Sequence, residues 1–294
     1  MQIKLDVPRD FRFYQTLQDT TRQPFGLTEC LVGDTYYTLI DEHLIAIVYH
    51  NDKSQLFVDF RADLNTAVLI DNLINRFGLK QDLDGFYHQL SGDPLFDIII
   101  EPLKGLRIFQ KASPFEALVA AIVDQQLNLK FAETLKTRLI KNYGKRYIFD
   151  DIILYEFPTA ETLAQQDDLA LRPFQFTNNK SRYIIRLARD VANGKIVLES
   201  WNNLDDAELL ENLISIYGVG PWTAEYTALV GFNRLNMLPT TDIGLLNAIQ
   251  KVYQLEERPT VKKVHEIARK WEPYRGFVTF YLWYAYEQGI LGNH

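Results

Sequence analysis

The sequence predicts an α+β protein in which a small α/β domain with an antiparallel sheet precedes an all-helical region. Two observations carry this prediction. β-Branched and aromatic residues are concentrated in residues 35–61, whereas helical spacing of apolar residues dominates after Pro102. We place the expected boundary at residue 100, which gives a small domain at residues 1–100 and a helical region at residues 101–294.

The small N-terminal domain is expected to contain short strands followed by a helix. Residues 35–61 are typical of three strands, with turns near residues 41–42 and 51–53 where polar residues interrupt the apolar pattern. Residues 66–79 then carry apolar side chains at helical spacing, and Gly78 is suited to end this helix.

The helical region opens with a strong start signal. Ser113 is a good N-cap, Pro114 fits the first helical position, and Glu116 completes the pattern of a capping box. Residues 158–165 and 205–216 begin in a similar way, so each is expected to start a further helix.

Composition bounds the class of protein. The chain has 294 residues, of which 47% are hydrophobic and 23% charged, as in an ordinary globular protein. Its start lacks the basic and apolar segments of a signal peptide, and no apolar run approaches the roughly 18 residues that cross a membrane. A single cysteine, Cys30, excludes internal disulfides, cysteine-ligated zinc and a four-cysteine iron–sulfur cluster. We therefore expect a cytoplasmic protein with no membrane partner.

The net charge of −7 is unevenly distributed. Residues 1–100 contain 8 basic and 15 acidic residues, whereas residues 101–294 contain 23 of each. The excess of negative charge thus lies in the first third of the chain. Because net charge bears on solubility and steering rather than on fold, it argues only weakly against a polyanion-binding face in the remainder.

A glycine-rich break interrupts the helical pattern at "SIYGVGPWTAEY", residues 215–226. Gly218 and Gly220 permit positive φ and leave room for a close neighbour, and Pro221 is suited to begin the next helix. The start of that helix would present free N–H groups to an anion such as phosphate. A plain corner between two helices, closed by a glycine cap, explains the same pattern equally well.

Asp242 lies about twenty residues after the hairpin, just past a proline turn. An apolar helix pattern follows at once, so the residue has the position of an N-cap. The residues alone therefore leave two interpretations open, a structural cap and a catalytic carboxylate.

Several segments together resemble the helix-hairpin-helix DNA glycosylase superfamily. "LISIYGVGPWTAEYTALVGF" followed by "LPTTD" is similar to its hairpin and catalytic Asp, and "SPFEALVAAIVDQQLNLKFAETL" and "FYLWYAYEQG" are similar to the 3-methyladenine DNA glycosylase II branch. The resemblance covers roughly residues 100–290. It implies two helical subdomains with the hairpin at residues 205–230 and an active-site cleft between them.

The resemblance implies an enzyme that flips alkylated bases out of double-stranded DNA and hydrolyses the N-glycosidic bond, with Asp242 as the catalytic carboxylate. Members that also cleave the backbone carry a lysine where this chain has Trp222, so we expect a monofunctional enzyme. An 8-oxoguanine glycosylase on the same scaffold and a non-catalytic DNA-binding protein are the alternatives.

The resemblance also assigns roles to the surrounding residues. The base pocket is expected to be lined by Trp222, Tyr226 and Trp283, whose electron-rich rings suit cationic alkylated bases. The turn that enters the DNA is expected at Gln125, Gln126 and Leu127, with either of the last two as the inserted residue. Backbone N–H groups of Gly218, Gly220 and Thr223 are expected to bind DNA phosphates.

No cofactor is expected to be required. The resemblance implies a structural Na⁺ or K⁺ bound by the backbone carbonyls of Ile214, Ile216 and Val219, and the partner is double-stranded DNA containing damaged bases. We expect a monomer. Basic clusters at residues 130–146 and 180–195 are either solvated helix faces or DNA contacts. The loop at Gln175 departs from relatives, which tend to have glycine there.

Overall fold

A computed structural model describes residues 1–18 and 27–291 of the protein. The N-terminal part is a five-stranded antiparallel sheet with strand order β1-β5-β4-β3-β2. Its strands are β1 (Gln2–Asp6), β2 (Glu29–Val32), β3 (Thr35–Ile40), β4 (His43–His50) and β5 (Gln55–Asp59). Two helices, α1 (Phe13–Gln18) and α2 (Thr66–Arg76), accompany the sheet.

The three strands expected within residues 35–61 are present as β3, β4 and β5. Asp41 and Glu42 form the first turn, both at positive φ, and Asn51–Lys53 form a short 3₁₀ turn at the second. Strands β1 (five residues) and β2 (four residues) were not predicted, because each is short and stands apart from the continuous β-rich stretch of residues 35–61.

The rest of the chain is mainly helical, with a central helix α4 that is buried along most of its length. Its helices are α3 (Leu83–Leu90), α4 (Pro114–Asp124), α5 (Leu129–Tyr143), α6 (Ala160–Ala164), α7 (Asn178–Ala192), α8 (Asp206–Ser215), α9 (Pro221–Gly231), α10 (Ile243–Val252), α11 (Val261–Ala268) and α12 (Arg275–Glu287). A π-helical turn spans Phe96–Ile100. Helix α4 packs against α9 and α7, so the expected start signal leads into the centre of the molecule.

The cap of α4 forms as expected, although only through one of its two bonds. Ser113 Oγ accepts the backbone N–H of Glu116 at 3.1 Å. The carboxyl group of Glu116 is instead buried beside the backbone of Ala112, and this burial raises its pKa.

A two-stranded hairpin stands out within the helical region. Strands β6 (Arg146–Phe149) and β7 (Ile152–Tyr155) pair antiparallel after α5, in a stretch where the sequence indicated only helix and basic charge. The rings of Tyr147 and Phe149 stack along β6, at 6.0 Å between centroids. Four-residue strands of this kind again carry too little pattern to be predicted.

The buried side chains form two hydrophobic cores, one under the sheet and a larger one among the helices. Residues 83–100 contribute to the larger core, whereas Phe109 returns to the core under the sheet. The core under the sheet is thus formed by side chains between Ile3 and Leu79 and by Phe109, whereas the segment 83–108 packs with the helices. Within the described residues, no helix is long and apolar enough to cross a membrane.

Candidate active site and DNA-binding hairpin

The glycine-rich break forms a tight hairpin between α8 and α9. Gly218 has φ of +91°, and a Cβ there would lie 2.3 Å from the ring of Tyr183 on α7, so this position requires glycine for two reasons. Gly220 has an ordinary φ of −101° and acts as the N-cap of α9, with open space where a Cβ would stand. Positive φ was thus needed at only one of the two glycines.

The first turn of α9 has no side-chain cap, and Thr223 within it is buried. Pro221 takes the first helical position, and no side chain caps the N-terminus at Gly220. Backbone N–H groups at this end have no partner within the helix, and the helix dipole is positive here. The geometry is therefore compatible with the expected phosphate contacts at Gly218, Gly220 and Thr223.

Gln125 connects the hairpin to the end of α4. Its Nε2 donates to the carbonyl of Gly218 and to Oγ1 of Thr223, both at 2.9 Å. Both amide hydrogens of Gln125 are therefore engaged inside the protein. Gln125 therefore faces the hairpin rather than an external partner.

Gln126 and Leu127 differ in exposure. Gln126 is exposed and has a positive φ of 53°, which is uncommon for a residue other than glycine. Leu127 is half-buried and packs against the larger core. Of the two residues expected to enter DNA, Gln126 is the one that extends from the surface.

Two lysines hold the C-terminal end of α4, and from sequence they were notable only as members of the basic clusters. Lys180 Nζ donates to the carbonyls of Val123 and Gln125 at 2.7 and 2.6 Å. Lys136 Nζ lies 3.0 Å from the carboxylate of Asp124. Both lysines are buried, so these members of the basic clusters are structural rather than surface groups.

Asp242 is the N-cap of α10 and is also bound by two tryptophans. Its Oδ1 accepts the backbone N–H of Leu245 at 2.7 Å and the indole N–H of Trp283 at 2.7 Å. Its Oδ2 accepts the indole N–H of Trp222 at 3.0 Å. The structural cap and the site carboxylate are therefore the same group, and the two interpretations open at the sequence level do not exclude each other.

The two tryptophans that bind this carboxylate form an aromatic group with Tyr226. Trp222 and Tyr226 are nearly parallel, with centroids 5.5 Å apart and planes at 13°. The Tyr226 ring lies 5.9 Å from that of Trp283. At Gly244 a Cβ would lie 3.1 Å from Asp242 Oδ1 and 3.4 Å from the Trp283 ring, so the small residue there lets the two groups approach. The structure thus brings the three expected pocket residues together, and two of them, Trp222 and Trp283, bind Asp242.

Glu225 lies beside the aromatic group on α9 and was not singled out from the sequence. Burial raises the pKa of its carboxyl to about 7, although the positive charge of Arg275 acts in the opposite direction. The protonation state of this carboxyl group therefore changes with pH near neutrality.

The three carbonyls expected to bind a monovalent cation lie at the end of α8 and in the hairpin. The carbonyl of Ile216 accepts the N–H of Val219 at 3.0 Å, and both residues are buried, whereas Ile214 is half-exposed. In the described residues, no three His, Cys, Asp or Glu side chains are grouped as for a metal ion.

Comparison with known proteins gives the family of this chain. Residues 119–273, just over half of the chain, match the family model described as "HhH-GPD superfamily base excision DNA repair protein". The chain belongs to this superfamily.

Its relatives specify the branch. The chain is 34% identical over 189 residues to the "Putative DNA-3-methyladenine glycosylase YfjP" of Bacillus subtilis, a match that covers 64% of each chain. It is 32% identical over 207 residues to the "DNA-3-methyladenine glycosylase" of the same organism, covering 70% of this chain and 68% of that one. These matches place the chain among the 3-methyladenine DNA glycosylases. Each match covers about two thirds of the relative's own length.

A solved structure extends the likeness over the whole fold. The "3-methyladenine dna-glycosylase from Archaeoglobus fulgidus" superposes with a TM-score of 0.86 over 97% of this chain and 98% of its own, at 20% identity. The N-terminal sheet and the helical body thus occur together in another protein.

Proposed function

We propose that the protein is a monofunctional DNA glycosylase that flips alkylated bases, such as 3-methyladenine and 7-methylguanine, out of double-stranded DNA and hydrolyses the N-glycosidic bond. The observation that carries the proposal is the carboxylate of Asp242 held between Trp222 and Trp283. The names of the relatives support the same activity.

Asp242 is suited to stabilise positive charge on a sugar. Oδ1 is engaged by the N–H groups of Leu245 and Trp283, whereas Oδ2 accepts one hydrogen bond from a described residue, that of Trp222. A carboxylate oxygen has two lone-pair directions, so Oδ2 retains one for the sugar or for water. Loss of the base leaves oxocarbenium-like charge on the sugar, which a fixed anion stabilises without reorganisation.

The three aromatic rings favour an alkylated base as the leaving group. Many alkylated purines are cationic, and Trp and Tyr faces attract cations by stacking and cation–π contact. A cationic base also leaves readily, so an enzyme of this kind needs little further activation of the base.

The absence of a lysine from residues 215–226 supports a hydrolytic reaction without a lyase step. The position of the lyase lysine is occupied by Trp222, whose indole N–H is used to hold Asp242. Water is then the nucleophile. Cleavage of abasic DNA by β-elimination with the purified protein would contradict this part of the proposal.

DNA is held by the hairpin and the Gln126 turn in this proposal. Backbone N–H groups of Gly218, Gly220 and Thr223 bind phosphates, and a Na⁺ or K⁺ on the carbonyls of Ile214, Ile216 and Val219 adds positive potential beside them. Gln126 fills the gap left by the flipped nucleotide, because it is exposed while Leu127 packs inward. No other cofactor is needed.

The protein is proposed to act as a monomer in the cytoplasm. The single cysteine, Cys30, suits a reducing compartment.

Release of free bases from methylated DNA, resolved by chromatography, tests the activity. Asp242→Asn is expected to lower single-turnover base release by about a hundredfold or more while DNA binding is retained. Asp205→Asn is the matched control, because Asp205 caps α8 in the same way and lies outside the site. Activity on 8-oxoguanine but not on 7-methylguanine would overturn the proposed substrate class.

A further inference from the structure

Lys180 is a buried cation at the end of a buried helix. The residue lies in the first turn of α7, is 7% exposed, and brings its Nζ to the carbonyls of Val123 and Gln125. The last carbonyls of a helix have no partner within the helix, and positive charge is favourable at this end. Lys180 therefore fixes the position at which α4 stops.

The turn that follows is short and strained. Gln125 ends α4 and Asn128 caps α5, so only Gln126 and Leu127 lie between the two caps. The positive φ of Gln126 is unfavourable for a residue with a side chain and persists only where the surroundings enforce it. Lys180 holds the turn from the side of α7, and the Gln125 amide holds it from the side of the hairpin.

Burying the charged Lys180 side chain costs desolvation free energy. Burial lowers its pKa to about 8, even though the charge of Asp124 acts in the opposite direction. An apolar side chain of similar length would occupy the same volume without removing an ammonium group from water. What the lysine adds is a defined position for two backbone carbonyls, one of them on the residue before Gln126.

We infer that Lys180 is a positioning residue for base flipping: by holding the end of α4, it presents Gln126 to the gap in the DNA. This inference rests on the proposed function. It predicts that loss of Lys180 impairs the extrusion of a paired base much more than the bond cleavage that follows.

The test uses two DNA duplexes that differ opposite the lesion. In the first, 7-methylguanine pairs with cytosine, and in the second it faces a stable abasic analogue, so that extrusion costs less. Lys180→Met is expected to lower the single-turnover rate of base release about tenfold or more on the paired duplex, since hydrogen bonds from a charged group are lost. On the unpaired duplex the loss is expected to be several times smaller.

The chain offers a matched control for a purely structural effect. Arg107 is also buried, at 4% exposure, and also donates to two backbone carbonyls, those of Gly78 and Gln81, outside the site. Arg107→Met is expected to change the two rates by the same factor. Equal losses on both duplexes in Lys180→Met would overturn the inference.

A double-mutant cycle tests whether Lys180 acts through Gln126. Gln126→Ala is expected to slow the paired substrate, and adding Lys180→Met should cause little further loss, because the two residues then act in one step. Fully additive losses would contradict the inference.

A second variant covers the case in which Lys180→Met does not fold. Lys180→Gln keeps a donor for one carbonyl, and its loss of base-release rate must again be larger on the paired duplex.

Insertion of the turn can be followed without catalysis. A 2-aminopurine placed beside a stable abasic analogue reports unstacking when the protein binds, and Lys180→Met is expected to reduce this signal at saturating protein. If the wild-type protein releases no base but still gives the signal, the proposed function fails while the inference on the turn stands. An unchanged signal in the variant would overturn the inference.

Discussion

At the scale of single residues, Asp242 joins three helices through one carboxylate. It caps α10 and receives the indole N–H groups of Trp222 from α9 and Trp283 from α12. Helical propensity and periodicity predict a cap at this position from sequence. The two indole bonds link residues 20 and 41 positions away, and local pattern carries no information about such contacts.

Trp283→Phe tests the contribution of one indole bond. The change removes the N–H donor to Oδ1 and keeps an aromatic ring in the pocket, so we expect single-turnover base release to fall about tenfold. Trp201→Phe, a half-buried tryptophan outside the site, is the control and should leave the rate unchanged. An unchanged rate in Trp283→Phe would show that the bond does not orient the carboxylate.

Glu225 is expected to make stability depend on pH. Its pKa is raised from the ordinary 4.5 to about 7, so the folded protein binds a proton that the unfolded chain releases, and stability falls as pH rises through this window. Glu225→Gln removes this loss and should be more stable than wild type by about 2–3 kcal/mol above pH 7, with little difference below pH 4.5.

Urea unfolding at a series of pH values measures this effect. The exposed Glu257 provides the control variant Glu257→Gln, which should follow the wild-type curve. A constant difference between Glu225→Gln and wild type at every pH would exclude the titration of Glu225 as its cause.

At the scale of elements, the hairpin between α8 and α9 depends on one glycine more than on the other. Gly218 needs its left-handed φ and also the absence of a side chain against Tyr183, whereas Gly220 needs neither. The Gly-x-Gly spacing could be read from sequence. Which glycine is constrained by a neighbour on α7 could not, because that contact is distant along the chain.

Gly218→Ala should destabilise the protein and weaken DNA binding more than a glycine change that introduces strain alone. Gly194 after α7 also has positive φ, +70°, but a Cβ there would meet no atom within 4 Å. We expect Gly194→Ala to cost about 1–2 kcal/mol of unfolding free energy and Gly218→Ala distinctly more. Adding Tyr183→Ala to Gly218→Ala should recover part of the difference, measured by urea unfolding, and no recovery would argue against the collision.

The elements best predicted from sequence are those with side-chain caps and periodic apolar faces, such as α4 and α8. Gln175 stands where relatives tend to have glycine. Its φ of +71° lies in the left-handed region that glycine adopts most readily. The contacts of Lys180 and Lys136 with the C-terminal end of α4 were not predictable. In sequence the two residues resemble the solvated lysines of any amphipathic helix.

At the scale of the whole molecule, the described residues pass between the two cores three times, after Leu79, at Phe109 and before Phe115. Residues 83–100 join the helical core because Phe86 stacks on Phe277 of α12 at 5.0 Å and also contacts Tyr281. Composition located the acidic excess in residues 1–100 but did not predict that residues 83–100 pack in the helical core. The amphipathic pattern of α3 fits either core, and only contacts with α12 decide between them.

The core under the sheet contains a buried ion pair whose loss should be measurable. Arg76 Nη2 donates to the Glu29 carboxylate at 3.0 Å, and the Tyr36 hydroxyl donates to the same carboxylate. Glu29→Gln leaves the guanidinium without its counter-charge and should lower the unfolding free energy by about 3 kcal/mol or more. Glu42→Gln, which breaks the exposed pair with Lys145, should leave the urea midpoint unchanged. Similar midpoints for both variants would contradict the role of the buried pair.

The hairpin of β6 and β7 has a consequence for self-association. Strand β2 is an edge strand of the sheet. An edge strand offers free N–H and carbonyl groups to a strand from another molecule. Here β7 packs beside β2, and the N–H of Tyr155 donates to the carbonyl of Leu27 at 2.6 Å. The hairpin thus obstructs the β2 edge of the sheet, where a strand from another copy of the protein could otherwise add and begin aggregation.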